Sequence, residues 1–297
     1  MNDRQTGRII KATGGFYYVR TSHGRAFTCR AKGLFRNRNI TPLVGDLAEI
    51  LPGLDGEATV VEILPRRNAT VRPPLANLDQ MVLVLSVVDP APNLLVVDRF
   101  LALLEKQDIQ PLVVITKSDL ADPADLAKLY KKAGFPVLIV CGETGNGISA
   151  LMDALSGKVS AFSGNSGVGK SSLLNLLDPR FAVATGGTSK KLGRGKHTTR
   201  HVELFPLPGD ALVADTPGFS SMSITEMGGI GKDELAACFR DLAPYTEKCR
   251  FVNCSHTCEK GCAVLEALAR GEIDPRRHQS YTLLYNEVKD IKPWEQK

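Results

Sequence analysis

Residues Gly164-Asn165-Ser166-Gly167-Val168-Gly169-Lys170-Ser171 follow the apolar stretch Val159–Phe162 and precede a run with leucines at 173, 174 and 177. Two glycines, a lysine and a hydroxyl residue at this spacing form a phosphate loop. The glycines let the backbone curl so that successive N–H groups face phosphate oxygens. Lys170 would neutralise β- and γ-phosphate charge, the Ser171 hydroxyl would hold Mg²⁺, and Ser172 continues the cradle into the helix. Strand, loop and amphipathic helix in this order predict that a nucleoside triphosphate binds here.

Thr116-Lys117-Ser118-Asp119 ends another strand candidate, Pro111–Ile115. In an [N/T]-K-x-D pattern the aspartate accepts hydrogen bonds from guanine N1 and N2, and the lysine stem packs on the ring. Adenine lacks that donor pair and would leave the carboxylate unpaired. In an ordinary GTPase the base reader comes after the phosphate loop. Here it comes first, so the two motifs together predict a circularly permuted domain. Downstream, Asp215-Thr216-Pro217-Gly218 ends the strand candidate Ala211–Ala214. Asp215 would hold Mg²⁺ through water, and the Gly218 N–H would contact the γ-phosphate.

From about residue 78 onward strands and helices alternate: Met81–Val88, Leu94–Leu104, Pro111–Ile115, a helix opened by Asp122-Pro123, Pro136–Val140 and Ile148–Leu155. That rhythm predicts a mostly parallel sheet with helices on both faces. The N-terminal part reads differently. Gly7–Ile10, Phe16–Val19, Ala26–Cys29, Val44–Ile50 and Ala58–Leu64 are five short strand candidates, which suit a small barrel. Residues 1–74 carry 12 Lys or Arg against 6 Asp or Glu, within a chain of net charge +5. A basic barrel points to a polyanion partner and favours an OB-fold over an SH3-like barrel, although strand counting alone does not separate them. Lys32–Asn39 is a basic loop with an aromatic, Phe35, and Pro65–Pro74 reads as a linker.

Of the seven cysteines, four crowd between Cys249 and Cys262, around His256. A cluster this tight reads as a metal site in a reducing compartment rather than a disulfide framework. Cys249, Cys254, His256 and Cys262 supply three thiolates and an imidazole suited to structural zinc, with Cys258 a competing ligand. Glu234–Leu242, Ala263–Arg270 and Gln279–Lys289 are the helix candidates around it. The longest aliphatic run, Met81–Val88, is too short to span a bilayer, and the N-terminus has no apolar signal core, so a soluble cytoplasmic protein is expected.

The motif order, the segments Pro42–Asp46, Ile63–Arg66 and Ala76–Gln80, and Gly195-Lys196-His197-Thr198-Thr199-Arg200 resemble the RsgA family of ribosome small-subunit-dependent GTPases. Cys141-Gly142 departs from that family's usual Ser-Ala or Ser-Ser in the base-flanking loop. The resemblance implies an α/β circularly permuted P-loop GTPase domain (71–225) between an all-β OB-fold barrel (1–70) and a C-terminal α-helical zinc-binding domain (226–297). It decides the zinc ligands for Cys249, Cys254, His256 and Cys262 over Cys258. GTP, Mg²⁺ and Zn²⁺ are the implied ligands, and the 30S subunit with its 16S-type rRNA is the implied partner of a monomeric protein. Thr199, or else Thr198, would complete the Mg²⁺ shell in switch I. Ras-like enzymes place a water-orienting glutamine after the D-x-x-G glycine, but Phe219 stands there. His197 is the candidate for that role, and the resemblance implies the same. Because its loop is rich in glycine and charge, hydrolysis is expected to be slow until a partner orders it. An RNA-binding scaffold using GTP as an affinity switch, and a P-loop ATPase, are the competing readings.

Overall fold

The computed structural model of the chain describes residues 4–31, 35, 40–53, 56–181, 202–216 and 229–291. His197, Thr198, Thr199 and Gly218 lie outside the described residues. The chain forms two compact units, Met1–Gln80 with Ala154–Phe162 and Leu177–Thr216, and Met81–Asp153 with Ser163–Leu176 and Pro217–Lys297.

In the first unit, β1 (Gln5–Thr13), β2 (Phe16–Thr21), β3 (Ala26–Ala31), β4 (Leu47–Pro52) and β5 (Glu57–Ile63) close into a barrel of order β1-β2-β3-β5-β4. Alternation along the strands sends Ile9, Val19, Phe27, Cys29, Ala48, Ile50 and Val60 inward. β1 pairs antiparallel with both β2 and β4, and β3 runs parallel to β5. This Greek-key closure is that of an OB-fold, which settles what strand counting left open. Phe35 is buried, so the aromatic of the Lys32–Asn39 stretch is a core side chain and not a displayed ring.

The expected linker is instead a stapled hairpin. β6 (Ala69–Thr70) and β7 (Leu75–Ala76) pair antiparallel. Arg66 grips the fully buried Asp46 carboxylate with Nε at 2.7 Å and a terminal nitrogen at 2.8 Å. The Asn68 amide bonds both the N–H and the carbonyl of Leu78. Asn77 donates to the Gly45 carbonyl, and Asp79 accepts from the Val159 N–H at 2.7 Å. Pro and Arg content suggested a spacer because it hides partners that are distant in sequence.

β8 (Gln80–Ser86), β9 (Gln110–Thr116) and β10 (Val137–Ile139) pair in the order β10-β9-β8, and in the first unit β11 (Val159–Ser163), β12 (Leu204–Leu207) and β13 (Ala211–Asp215) pair in the order β11-β13-β12. β10 and β9 are parallel, as are β11 and β13, whereas β12 is an antiparallel edge. Every residue of β8 is buried, as expected of a strand covered on both faces.

Among the described residues the helices are α1 (Leu94–Lys106), α2 (Ala124–Lys132), α3 (Ile148–Leu155), α4 (Lys170–Leu177), α5 (Lys232–Leu235), α6 (Ala243–Thr246), α7 (Ala263–Ala269) and α8 (Pro275–Val288). Only α3 keeps the bounds read from sequence. The Glu234–Leu242 candidate shrinks to α5 followed by turns that bring Phe239 and Asp241 to α8. α8 starts a turn earlier than expected, because Asp274 caps the Arg276 N–H and Pro275 occupies the first helical position. Arg277, 1% exposed, bridges Asp98 of α1 at 2.6 Å and Asp241 at 2.8 Å. Burial works against both charges and pushes the Asp98 carboxyl up, opposed by the Arg277 guanidinium. Arg99–Glu287, Lys106–Glu234 and Arg276–Asp125 pairs surround this contact.

Candidate nucleotide site and cysteine–histidine centre

The phosphate loop lies between β11 and α4 and is shaped by its glycines. A Cβ on Gly164 would sit 2.6 Å from the Val84 carbonyl oxygen, so only glycine fits. Gly167 and Gly169 take φ of 85° and 89°, a region that other residues rarely adopt. Leu173 and Leu174 bury the inner face of α4, which leaves its N-terminus as the end of a phosphate cradle. The Asn165 Oδ1 is buried without a hydrogen-bond partner among the described residues. An orphaned acceptor in a glycine cradle fits a ligand that brings its own donors or ordered water.

The base-reading tetrapeptide reaches the same loop. The Thr116 hydroxyl, at the end of β9, donates to the Val168 carbonyl at 2.6 Å, with the Leu85 carbonyl farther off at 3.1 Å. Thr116 therefore braces the phosphate loop from a buried position. Lys117 has φ of 58°, and its ammonium bonds the Asp89 carbonyl. Asp119 is exposed, and the Cys141 thiol donates to its Oδ1 at 3.5 Å. The Cys141 N–H in turn donates to Asn146 O, and the Gly145 N–H to Cys141 O, which closes a tight loop beside Asp119. Cys141 thus presents a donor to the carboxylate of the candidate base reader, at a position where the sequence shows only an unusual residue.

In the first unit, Asp215 ends β13 in register with Phe162 of β11. The next residue, Thr216, is buried and donates both its N–H and its hydroxyl to the Phe162 carbonyl, at 3.0 and 2.9 Å. The chain is thereby fixed at the strand end where the D-x-P-G motif begins.

Cys249, Cys254, His256 and Cys262 bring four ligand atoms within 4.8 Å of one another, and Cys258 stays outside the set, exposed. The Cys249 and Cys262 sulfurs are 3.8 Å apart, and the His256 Nδ1 lies 3.4 and 3.6 Å from them. Tetrahedral zinc with bonds of about 2.3 Å to sulfur and about 2.0–2.1 Å to nitrogen demands separations near these. The donor set is compatible with zinc on geometry as well as on chemistry. Burial lowers the His256 pKa and so favours the neutral imidazole that ligates metals. Burial also pushes the Cys254 thiol up to about 12, so a bound cation is what would let the thiolates form. His256 takes φ of 59°, and α8 supports that turn: His278 donates to the His256 carbonyl at 2.8 Å and Tyr281 to the Ser255 carbonyl at 2.9 Å. Neither residue was singled out from the sequence, where they read as part of a polar helix.

A base reader on β9 that precedes a phosphate loop after β11, with D-x-P-G after β13, defines a circularly permuted P-loop GTPase. A family model for the RsgA GTPase matches residues 63–225, and one for the RsgA N-terminal domain matches residues 6–60. The chain is 47% identical over 293 residues to "Small ribosomal subunit biogenesis GTPase RsgA 2" of Oceanobacillus iheyensis, covering 97% of this chain and 98% of that one. It is 45% identical to the RsgA of Geobacillus thermodenitrificans with the same coverage. Among solved structures, YloQ, titled a circularly permuted GTPase, matches with TM-score 0.82 at 36% identity, covering 98% of this chain and 97% of that one. YjeQ from Thermotoga maritima matches with TM-score 0.82 at 31% identity, covering 98% and 100%. The chain belongs to the RsgA GTPase family and is a GTP hydrolase.

Proposed function

We propose that the chain hydrolyses GTP on the small (30S) ribosomal subunit and assists its late maturation, with the subunit stimulating turnover. The observation that carries this reading is the conjunction of a guanine reader braced on a phosphate loop with near full-length similarity to relatives named as small-subunit biogenesis GTPases. The functional segments would be 1–70, 71–225 and 226–297. The basic barrel and the Cys/His segment would hold 16S-type rRNA, for which clustered Lys and Arg supply the electrostatics.

In the nucleotide site Asp119 and Lys117 select guanine, while backbone N–H groups of residues 164–169 and Lys170 neutralise the phosphates. Ser171 and Thr199 (or Thr198) would hold Mg²⁺ directly and Asp215 through water, and the ion would neutralise charge on the phosphates. His197 orients the attacking water, since Phe219 has no group that could do so. Cys249, Cys254, His256 and Cys262 hold structural zinc. Among the described residues no helix is long and apolar enough to cross a membrane. We place the protein in the cytoplasm as a monomer.

The test is GTP turnover with and without small subunits, on the parent and on His197→Ala. Subunits should raise parent turnover, and the variant should lose that rise while still binding GTP. Equal parent turnover in both conditions would favour the scaffold reading, and an unaffected variant would remove His197 from the mechanism.

A further inference from the structure

Between the ligand cysteines Cys249 and Cys254 the chain reads Arg250-Phe251-Val252-Asn253, and all four residues are exposed. Val252 is 101% exposed and Phe251 51%, an adjacent apolar pair held at the tip of a short loop. Single exposed apolar side chains are ordinary, but a pair fixed at a loop tip is not. The loop is held at both ends by the ligand cluster, and the Arg250 N–H donates to the Gly261 carbonyl at 3.0 Å.

The charge around the tip has one dominant sign. The Arg250 guanidinium lies 5.7 Å from the Phe251 ring centroid, and Lys248 lies over Tyr245 at 5.5 Å. Lys260 is exposed in the turn on the returning side of the loop. Glu259 faces inward and accepts from the backbone N–H groups of Ser255, Thr257 and Cys258. Although burial pushes that carboxyl up, those donors outweigh it and hold it at about 2. Glu272 is engaged by Arg270 and Tyr245. Glu247 is the one exposed carboxylate of the 247–262 segment.

We infer that Arg250-Phe251-Val252 is an RNA contact in which the Phe251 ring stacks on an unpaired base while Arg250 and Lys248 neutralise neighbouring phosphates. A tip of four residues is far smaller than the roughly 800 Å² per partner of a stable protein interface. One aromatic face beside cations is the arrangement with which proteins hold splayed bases. Val252 would fill space against the sugar next to that base. The contact rests on the ribosome-associated reading for its biological partner, but not for its test.

Trp294 is the only tryptophan of the chain. In a full-length Trp294→Phe background, Phe251→Trp places a fluorophore at the tip. Titration with deproteinised small-subunit rRNA should quench its emission saturably. Phe251→Ala should raise the subunit concentration for half-maximal stimulation about tenfold, leaving basal turnover and zinc content unchanged, and Phe251→Tyr should restore it. Emission that rRNA leaves unaltered, or that only the ribosomal proteins quench, overturns the inference. So does a stimulated parent whose subunit dependence is the same in Phe251→Ala. A parent that subunits do not stimulate instead defeats the function proposed above, while the rRNA titration still decides this contact.

Discussion

The barrel and the Cys/His segment hold themselves together by different means. The barrel closes every strand on a neighbour and fills its interior with Ile9, Val19, Phe27 and Ile50. The segment after residue 229 has two helices of four residues, one of seven and one of fourteen. It buries Leu235, Phe239, Leu242, Ile273, Tyr281 and Leu284, and adds to that core the clustered Cys/His ligand atoms and the buried Arg277 pairs. A closed sheet distributes stability over many backbone hydrogen bonds, whereas this helical segment sets beside its apolar core a few polar contacts whose loss would strand buried charges. The first should therefore tolerate single changes, and the second should fail at particular residues.

The sharpest break should come from the ligands. Cys262→Ser, or chelation of the parent, should unfold the region around residues 249–262, because structural zinc supplies about 10–16 kcal/mol in small metal modules. Hydrogen exchange should show that loss of protection while β1–β5 stay protected; retained protection around Cys249 would contradict a metal-held segment. Next comes Arg277→Met, which strands Asp98 and Asp241 in the interior and should cost about 3–5 kcal/mol. Chemical denaturation should register this, and replacing all three residues by apolar ones should recover most of it. The smallest effect should follow Thr116→Val, which removes the hydroxyl from the Val168 carbonyl at a cost of about 1 kcal/mol. GTP affinity should weaken several-fold with the barrel untouched, and unaltered affinity would mean that Thr116 does not brace the loop.

What the sequence revealed, and what it concealed, follows the same contrast. The glycine spacing of the phosphate loop, the T-K-x-D tetrapeptide at a strand end and the barrel strands are legible because local pattern alone specifies them. β12 was missed because Pro206 reads as a strand breaker, but an antiparallel edge strand has room for it. The hairpin at Ala69–Ala76 reads as a linker in sequence because Asp46, which anchors Arg66, lies far upstream. Arg277 sits in a basic run, Arg276-Arg277-His278, that resembles a solvated surface. Its buried carboxylates come from α1 and from the turn after α5, and no local pattern announces them. His197 is a candidate for orienting water only because Phe219 stands at the expected glutamine position, and it lies outside the described residues.

The separation of Asp98 and Arg277 by 179 residues also sets an order in time. Synthesis proceeds at about 5–20 residues per second, so the Asp98 carboxylate waits roughly ten to forty seconds for its guanidinium. Until then α1 must keep that carboxylate hydrated, and its face toward α8 cannot close. The barrel needs nothing downstream of residue 63 to complete its own strand pairing. The chain thus emerges with its basic end finished first, and the unit carrying Thr116–Asp119 is sealed only when α8 has left the ribosome.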